Sequence, residues 1–314
     1  MSPDTGNSTS LPSEQITSLK KVLHDNDFLQ LISSSEQYPG SQGSGLPLLR
    51  LQTPLCHAVI ALQGAQLLEF STANGKPLLW LSPNCNFSAG TALRGGVPVC
   101  LPWFGPHPTD PKKPKHGFAR NQPWQLNNAA LLSDGTAELT FAFNSPANEL
   151  FAFNFSAELS MTLGNTVKLA ITVTNNDTQA FDCSWVLHSY YKVNSLNTVR
   201  VQGLAGRTYL DNLENHAEKY QQGDVDFPYE VDRVFPDIKN DLTIVNESSI
   251  AITHHNCPSV VVWNPGAGNA AKMADVGAGN EQQFICVERG AVMQERWNLK
   301  AGESESAWVE LREI

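Results

Sequence analysis

Residues 155–173 leave this chain little choice of local conformation. Phe155, Ala157, Leu159, Met161 and Leu163 alternate with Ser156, Glu158, Ser160 and Thr162. Gly164-Asn165 follows, and then Val167, Leu169, Ile171 and Val173 alternate with Lys168, Ala170 and Thr172. Apolar residues at every second position share one face of a strand and no single face of a helix. Two such runs around Gly-Asn predict an antiparallel hairpin with a primed turn, since both turn residues tolerate positive φ. Ala137-Leu139-Phe141-Phe143 repeats the period. Ser259–Trp263, Phe284–Val287 and Trp308–Leu311 read as further strands, the first two apolar on both faces and so fully buried. Strands are short and numerous, and helical windows are scarce after residue 45. The expected fold is all-β, a large antiparallel β-sandwich.

Ahead of it, Ile16, Leu19, Val22 and Leu23 recur at helical spacing behind Ser13, a suitable N-cap, and predict a short N-terminal helix over 13–32. Residues 1–12 are polar and expected to be disordered. Residues 33–45, SSSEQYPGSQGSG, read as a linker that joins the helix flexibly to a domain spanning 46–314. The apolar stripe of the helix would cap the domain or cover a sheet edge.

The formal net charge of −10 argues against nucleic-acid and anionic-membrane partners, which need a basic face. It leaves room for a small anion, because two or three basic side chains in one cleft suffice. The opening residues have neither a basic n-region nor an apolar h-region, and no apolar run is long enough to span a membrane. The six cysteines are widely spaced with no C-x-x-C pair, which fits reduced thiols in a cytoplasmic protein. The acidic charge favours a monomer.

Five segments carry residues suited to chemistry. In RGGVPVCLPWFG, Arg94 precedes two glycines that let backbone approach a ligand; a tight turn with a solvated arginine is the plain alternative. In KHGFARNQPW, Lys115, His116 and Arg120 stand with two aromatics around a glycine, suited to an anion or a sugar, or equally to a solvated loop. His188 lies inside the apolar run WVLHSYY, where a satisfied core histidine is the commoner outcome. Glu288 ends the apolar strand FICVE, where burial raises a carboxylate toward general-base strength, unless it simply pairs with Arg289. Asp232 in EVDRVF can accept from sugar hydroxyls or stand as a surface charge beside Arg233. His254-His255 is the one pair with a metal-like look, but neighbours on a strand point to opposite faces, so no metal is expected.

In this order the segments resemble the aldose 1-epimerases, and within them the glucose-6-phosphate 1-epimerase branch. The resemblance rests on RGGVPVCLPWFG, KHGFARNQPW, LHSYY, EVDRVF, VVWNP and FICVE, and it covers roughly residues 46–314. It implies a galactose-mutarotase-like sandwich that binds a hexose 6-phosphate in a concave site and exchanges its α and β anomers without a cofactor. It also implies His188 as general acid, Glu288 as general base, Arg94 and Arg120 as phosphate contacts, and Asp232 as a sugar contact. Lys115 stands where relatives often carry glutamine, and His116 would line the cleft. The run Gly266–Lys272 departs from the bulky aromatic and Glu-Lys pair usual after WNP. Two rival readings are a mutarotase for unphosphorylated aldoses and a noncatalytic carbohydrate-binding module on the same sandwich.

Overall fold

The computed structural model describes residues 13–314. The disorder expected for 1–12 therefore lies outside the described residues. Two eight-stranded antiparallel sheets face each other. One runs Arg200–Gln202, Leu242–Val245, Ile250–His255, Ser304–Glu313, Val167–Asn175, Phe155–Leu163, Ala137–Ser145 and Gln125–Leu131. The hairpin read from the sequence forms its centre, with Phe155 opposite Asn175 and Leu163 opposite Val167, but three residues join its strands and neither Gly164 nor Asn165 has positive φ, so the turn is not the primed one expected. The other runs Ala217–Tyr220, Thr208–Asp211, Val231–Phe235, Ser259–Asn264, Phe284–Ala291, Trp185–Leu187 and Val99–Cys100, with Tyr190–Lys192 also paired to Phe284–Ala291. Between the sheets lies one core, to which Leu159, Met161 and Ile171 contribute from one side and Val260, Val262, Ile285 and Val287 from the other.

Phe284–Ala291 is buried along its whole length. Ile285 and Val287 enter the core between the sheets, while Phe284 and Cys286 join a second apolar cluster with Trp80 and Tyr190 on the opposite face. The strand thus continues past Val287, and Glu288 sits within it rather than at its end. Covering on both faces is why the run is apolar throughout instead of alternating.

The N-terminal region departs from its expected form. The helix is Ser13–His24, and Leu29–Ser33 is a strand paired to Pro47–Gln52 in a four-stranded sheet. Asp25, Asn26 and Asp27 interrupt the helix because their short polar side chains compete for backbone groups, and the Asn26 amide donates to the Val22 carbonyl at 2.8 Å. Residues 33–45 are not a free linker. Ser34–Gln37 forms a helical turn, Tyr38 stacks on Phe87 at 5.0 Å, and Gln42 pairs with Asn86. The folded unit accordingly begins before residue 46. The helix packs against Gln125–Leu131, burying Leu19 and covering that sheet edge. Leu29→Ala and Ile32→Ala, at 5% and 4% exposure, should each cost about 2–5 kcal/mol in urea denaturation, whereas a flexibly joined helical appendage would tolerate both.

Candidate active site

A gap between two short strands positions His188. Trp185–Leu187 pairs with the far half of Phe284–Ala291, and Tyr190–Lys192 with its near half. Between them the His188 amide turns away and donates to the Pro98 carbonyl at 2.9 Å. The imidazole is then stacked on the Tyr190 ring at 4.8 Å and 5°. The edges of His116 at 5.8 Å and Trp263 at 6.1 Å complete its enclosure. Its Nδ1 lies 3.2 Å from Glu288 Oε1. The contact is close but lacks hydrogen-bond alignment, so Nδ1 and Glu288 Oε2 are both buried without a hydrogen-bond partner among the described residues. Unmet buried polar atoms of this kind call for a ligand or a moving proton.

Glu288 is 1% exposed, and burial holds its carboxyl well above the usual carboxylate range, with the Asp232 charge pushing the same way and Arg120 opposing it. Burial also drives His188 well below the usual imidazole value, helped by His116, Arg120 and Arg94. Arg289 does not pair with Glu288. It points to the other face and donates to the carbonyls of Ile238, Cys257 and Asn240.

Arg94 is held by two groups that no sequence pattern announced. Its Nε donates to Asp275 Oδ2 at 2.9 Å and its Nη1 to the Tyr190 hydroxyl at 2.8 Å. Burial works against its charge, but Tyr190 and Asp275 outweigh that and keep it cationic. The glycine after Gly95 has a role other than the expected one. A Cβ on Gly96, whose φ is +61°, would lie 2.1 Å from the Leu67 carbonyl oxygen, so the close approach is to the protein's own backbone. Gly117 is alike, with φ of +67° and a would-be Cβ 2.0 Å from the Leu101 oxygen. These contacts fasten the two arginine-bearing loops to the sheet edges.

The second loop brings His116 to φ +64° and aims its ring at His188. Its Nδ1 accepts from the Gly105 amide at 3.3 Å, and burial, with the charges of Arg120, Arg94 and Lys115, pushes it down to about 3. His116 is therefore a neutral donor or acceptor at ordinary pH. Arg120, in the turn Ala119–Asn121, donates through Nη2 to the Lys115 carbonyl at 3.0 Å, while its buried Nε has no hydrogen-bond partner among the described residues. Lys115 is exposed. Across the sheet, Asp232 lies opposite Trp263, and Trp263 opposite Cys286. Asp232 accepts from the Asn212 amide at 2.7 Å, and burial raises its carboxyl to about 6. The adjacent His254 and His255 lie in the other eight-stranded sheet, away from this group.

Asp275, Tyr190 and Asn212 are the residues that sequence reasoning missed. Tyr190 stood in a quoted motif without a role, and Asp275 lies in an irregular loop with no periodicity to flag it. That loop follows the departing run: Gly266–Ala270 is a helical turn whose Ala270 packs with Trp80, Tyr190 and Cys286.

A buried imidazole–carboxyl pair, with arginines and aromatics around it on a β-sandwich, is an arrangement able to exchange protons with a small ligand. The aldose 1-epimerase family model matches residues 47–312, and the chain belongs to that family. An Escherichia coli K12 protein carrying the name "Putative glucose-6-phosphate 1-epimerase" is 34% identical over 250 residues, 77% of this chain and 82% of that protein. A Cenchrus ciliaris protein of the same name is 33% identical over 262 residues, 79% of this chain and 78% of that protein. The crystal structure of the mutarotase YeaD from Salmonella typhimurium, also titled as putative, superposes with a TM-score of 0.79 at 30% identity, covering 86% of this chain and 90% of that one. No helix among the described residues is long and apolar enough to cross a membrane.

Gly96→Ala should destabilise the protein by at least about 2 kcal/mol, since it combines positive φ with a backbone collision. Thermal unfolding monitored by circular dichroism checks this. A variant as stable as the parent would show that the loop can move away freely.

Proposed function

We propose that this chain interconverts the α and β anomers of hexose 6-phosphates, glucose 6-phosphate first among them, by acid–base ring opening and reclosure. The observation that carries the reading is the His188–Glu288 pair at 3.2 Å, with Arg94 and Arg120 close enough to act on its charge. Anomerisation requires one group to take the proton from the C1 hydroxyl while another gives a proton to the ring oxygen. C1–O5 then breaks, the carbonyl turns over, and closure reverses both transfers. Burial makes ionised Glu288 a stronger base and protonated His188 a stronger acid, so each shift sharpens its partner's task. The stack on Tyr190 fixes the imidazole plane, and Asp232 supplies an acceptor for a sugar hydroxyl. The chemistry forms no carbanion or hydride, so these side chains account for it without a cofactor. The relatives named for glucose 6-phosphate support the substrate class.

His188→Ala and Glu288→Gln should each lower kcat by at least about 10²-fold with the fold retained. The sign of the pH dependence follows from the two shifts. The working pair shares one proton. It gains a second only when the pH falls through the depressed His188 value, and it loses its last only when the pH rises through the elevated Glu288 value. The profile of kcat should therefore be a broad bell that holds through neutrality. Loss of activity between about pH 6 and 7, as an ordinary histidine would dictate, contradicts this assignment.

The phosphate reading leans on Arg120, whose buried Nε awaits an acceptor, more than on Arg94, already matched by Asp275. Charge-assisted hydrogen bonds contribute roughly 1.5–3 kcal/mol each. Arg120→Ala should thus lower kcat/KM for glucose 6-phosphate by about 10- to 150-fold and change that for glucose little. The prior pairing of Arg94 with Asp275 is the observation that favours a free-aldose mutarotase. Equal kcat/KM for the two sugars, measured by polarimetry or exchange NMR, would put that reading first.

A further inference from the structure

Cys286 has no part in the anomerisation, yet it shares a strand face with Glu288 two residues on. Across the pairing its neighbour is Tyr190, on which His188 stacks. One ligand atom each from His188, Cys286 and Glu288 lies within 4.8 Å of the other two. Imidazole nitrogen, thiolate sulfur and carboxylate oxygen are the three donor types that zinc accepts, and a tetrahedral ion holding all three spaces them about 3.3–3.8 Å apart. Small side-chain rotations close that gap. Two of the required atoms are already free to bind, because His188 Nδ1 and Glu288 Oε2 are buried with no hydrogen-bond partner among the described residues. Trp80, Tyr190 and Phe284 wall the thiol on the apolar side.

We propose that His188, Cys286 and Glu288 form a binding site for a thiophilic divalent cation, zinc or cadmium, which occupies the substrate's place and shuts the enzyme off. Binding forms metal–nitrogen, metal–sulfur and metal–oxygen bonds and releases two protons to solvent, the thiol's and the one that His188 and Glu288 share. No electron moves, so a chelator reverses the inhibition. Magnesium and calcium, which prefer oxygen ligands, leave the enzyme active. The site stands on its geometry, whereas the inhibition rests on the reading of His188 and Glu288 as the catalytic pair.

The test separates the two. Cadmium titrated into the full chain is followed by thiolate-to-cadmium charge-transfer absorption and by proton release, and glucose 6-phosphate mutarotation is measured in parallel. The expected result is one thiolate-bound cadmium per chain, with loss of activity that EDTA restores and glucose 6-phosphate opposes. Cys286→Ser should keep its turnover, bind cadmium at least about tenfold more weakly and resist inhibition to the same degree, since even outer-shell losses cost that much in metal sites. Cys286→Ala serves if the serine variant does not fold. Cys56→Ser, in the four-stranded sheet, should behave as the parent. No thiolate band, or a band that survives the loss of Cys286, overturns the site. A cadmium band at Cys286 in a protein that still turns over at full rate overturns the inhibition while leaving the binding in place. A chain inactive from the start with a Cys286-dependent band would count against the catalytic reading and not the metal site.

Discussion

The organising constraint is a carboxyl group buried beside an imidazole in the interior of a strand. A carboxylate at Glu288 with 1% exposure is expensive unless something shares its charge. The nearest cation in sequence, Arg289, is no help, because successive side chains on a strand point to opposite faces. Arg289 donates through its two terminal nitrogens to three carbonyls on the far side, where burial draws it down to about 10. The strand thereby keeps the two charges apart by its pleat alone. Glu288 is left to His188, a weak and reversible partner, which is the condition for proton exchange. A permanent Glu–Arg pair would have been more secure and chemically inert.

The rest of the site serves that pair. The sheet supplies Asp232 and Trp263 in one row with Cys286, and Glu288 two residues further along the same strand face, while His188 comes from a point where pairing lapses. The two arginine loops come from elsewhere in the chain and are seated by glycines with backbone at van der Waals limits. Rigid seating of loops matters here because a guanidinium displaced by an ångström loses much of its hydrogen-bond energy. His116, held neutral between cations, extends the enclosure of His188 without adding a competing proton at ordinary pH.

What could be read in the sequence divides along physical lines. Period-two alternation at 155–173 specified the hairpin, because a half-buried strand writes its burial directly into residue order. The resemblance brought together His188, Glu288, Asp232 and the two arginines as residue types in motifs. Leu29–Ser33 was misread because Leu29 and Ile32 also fit a helical stripe. Its strand character comes from pairing with Pro47–Gln52, a contact that no local window contains. The linker at 33–45 was misread for a similar reason: Ser and Gly signal a turn, and only the tertiary stack of Tyr38 on Phe87 shows that the turn is packed. Asp275 was invisible because an irregular loop has no period, and its partner Arg94 lies far away in sequence.

That last pairing bears on how far this site can differ from its relatives without changing its chemistry. The departing run Gly266–Lys272 leads into Met273-Ala274-Asp275, so it sets where the Asp275 carboxylate sits. Asp275 in turn decides how much of the Arg94 charge remains for a ligand, since a guanidinium that already holds a carboxylate at 2.7 Å offers a second anion little more than its remaining edge. The His188–Glu288 pair lies outside this loop and meets its anchor through Tyr190, which stacks on His188 and accepts from Arg94. On the proposed reading, affinity for an anionic group rests on loops that can drift in sequence, and ring opening on the interior of a strand buried on both faces. A change of substrate charge would need new loops, whereas a change of reaction would need a new core.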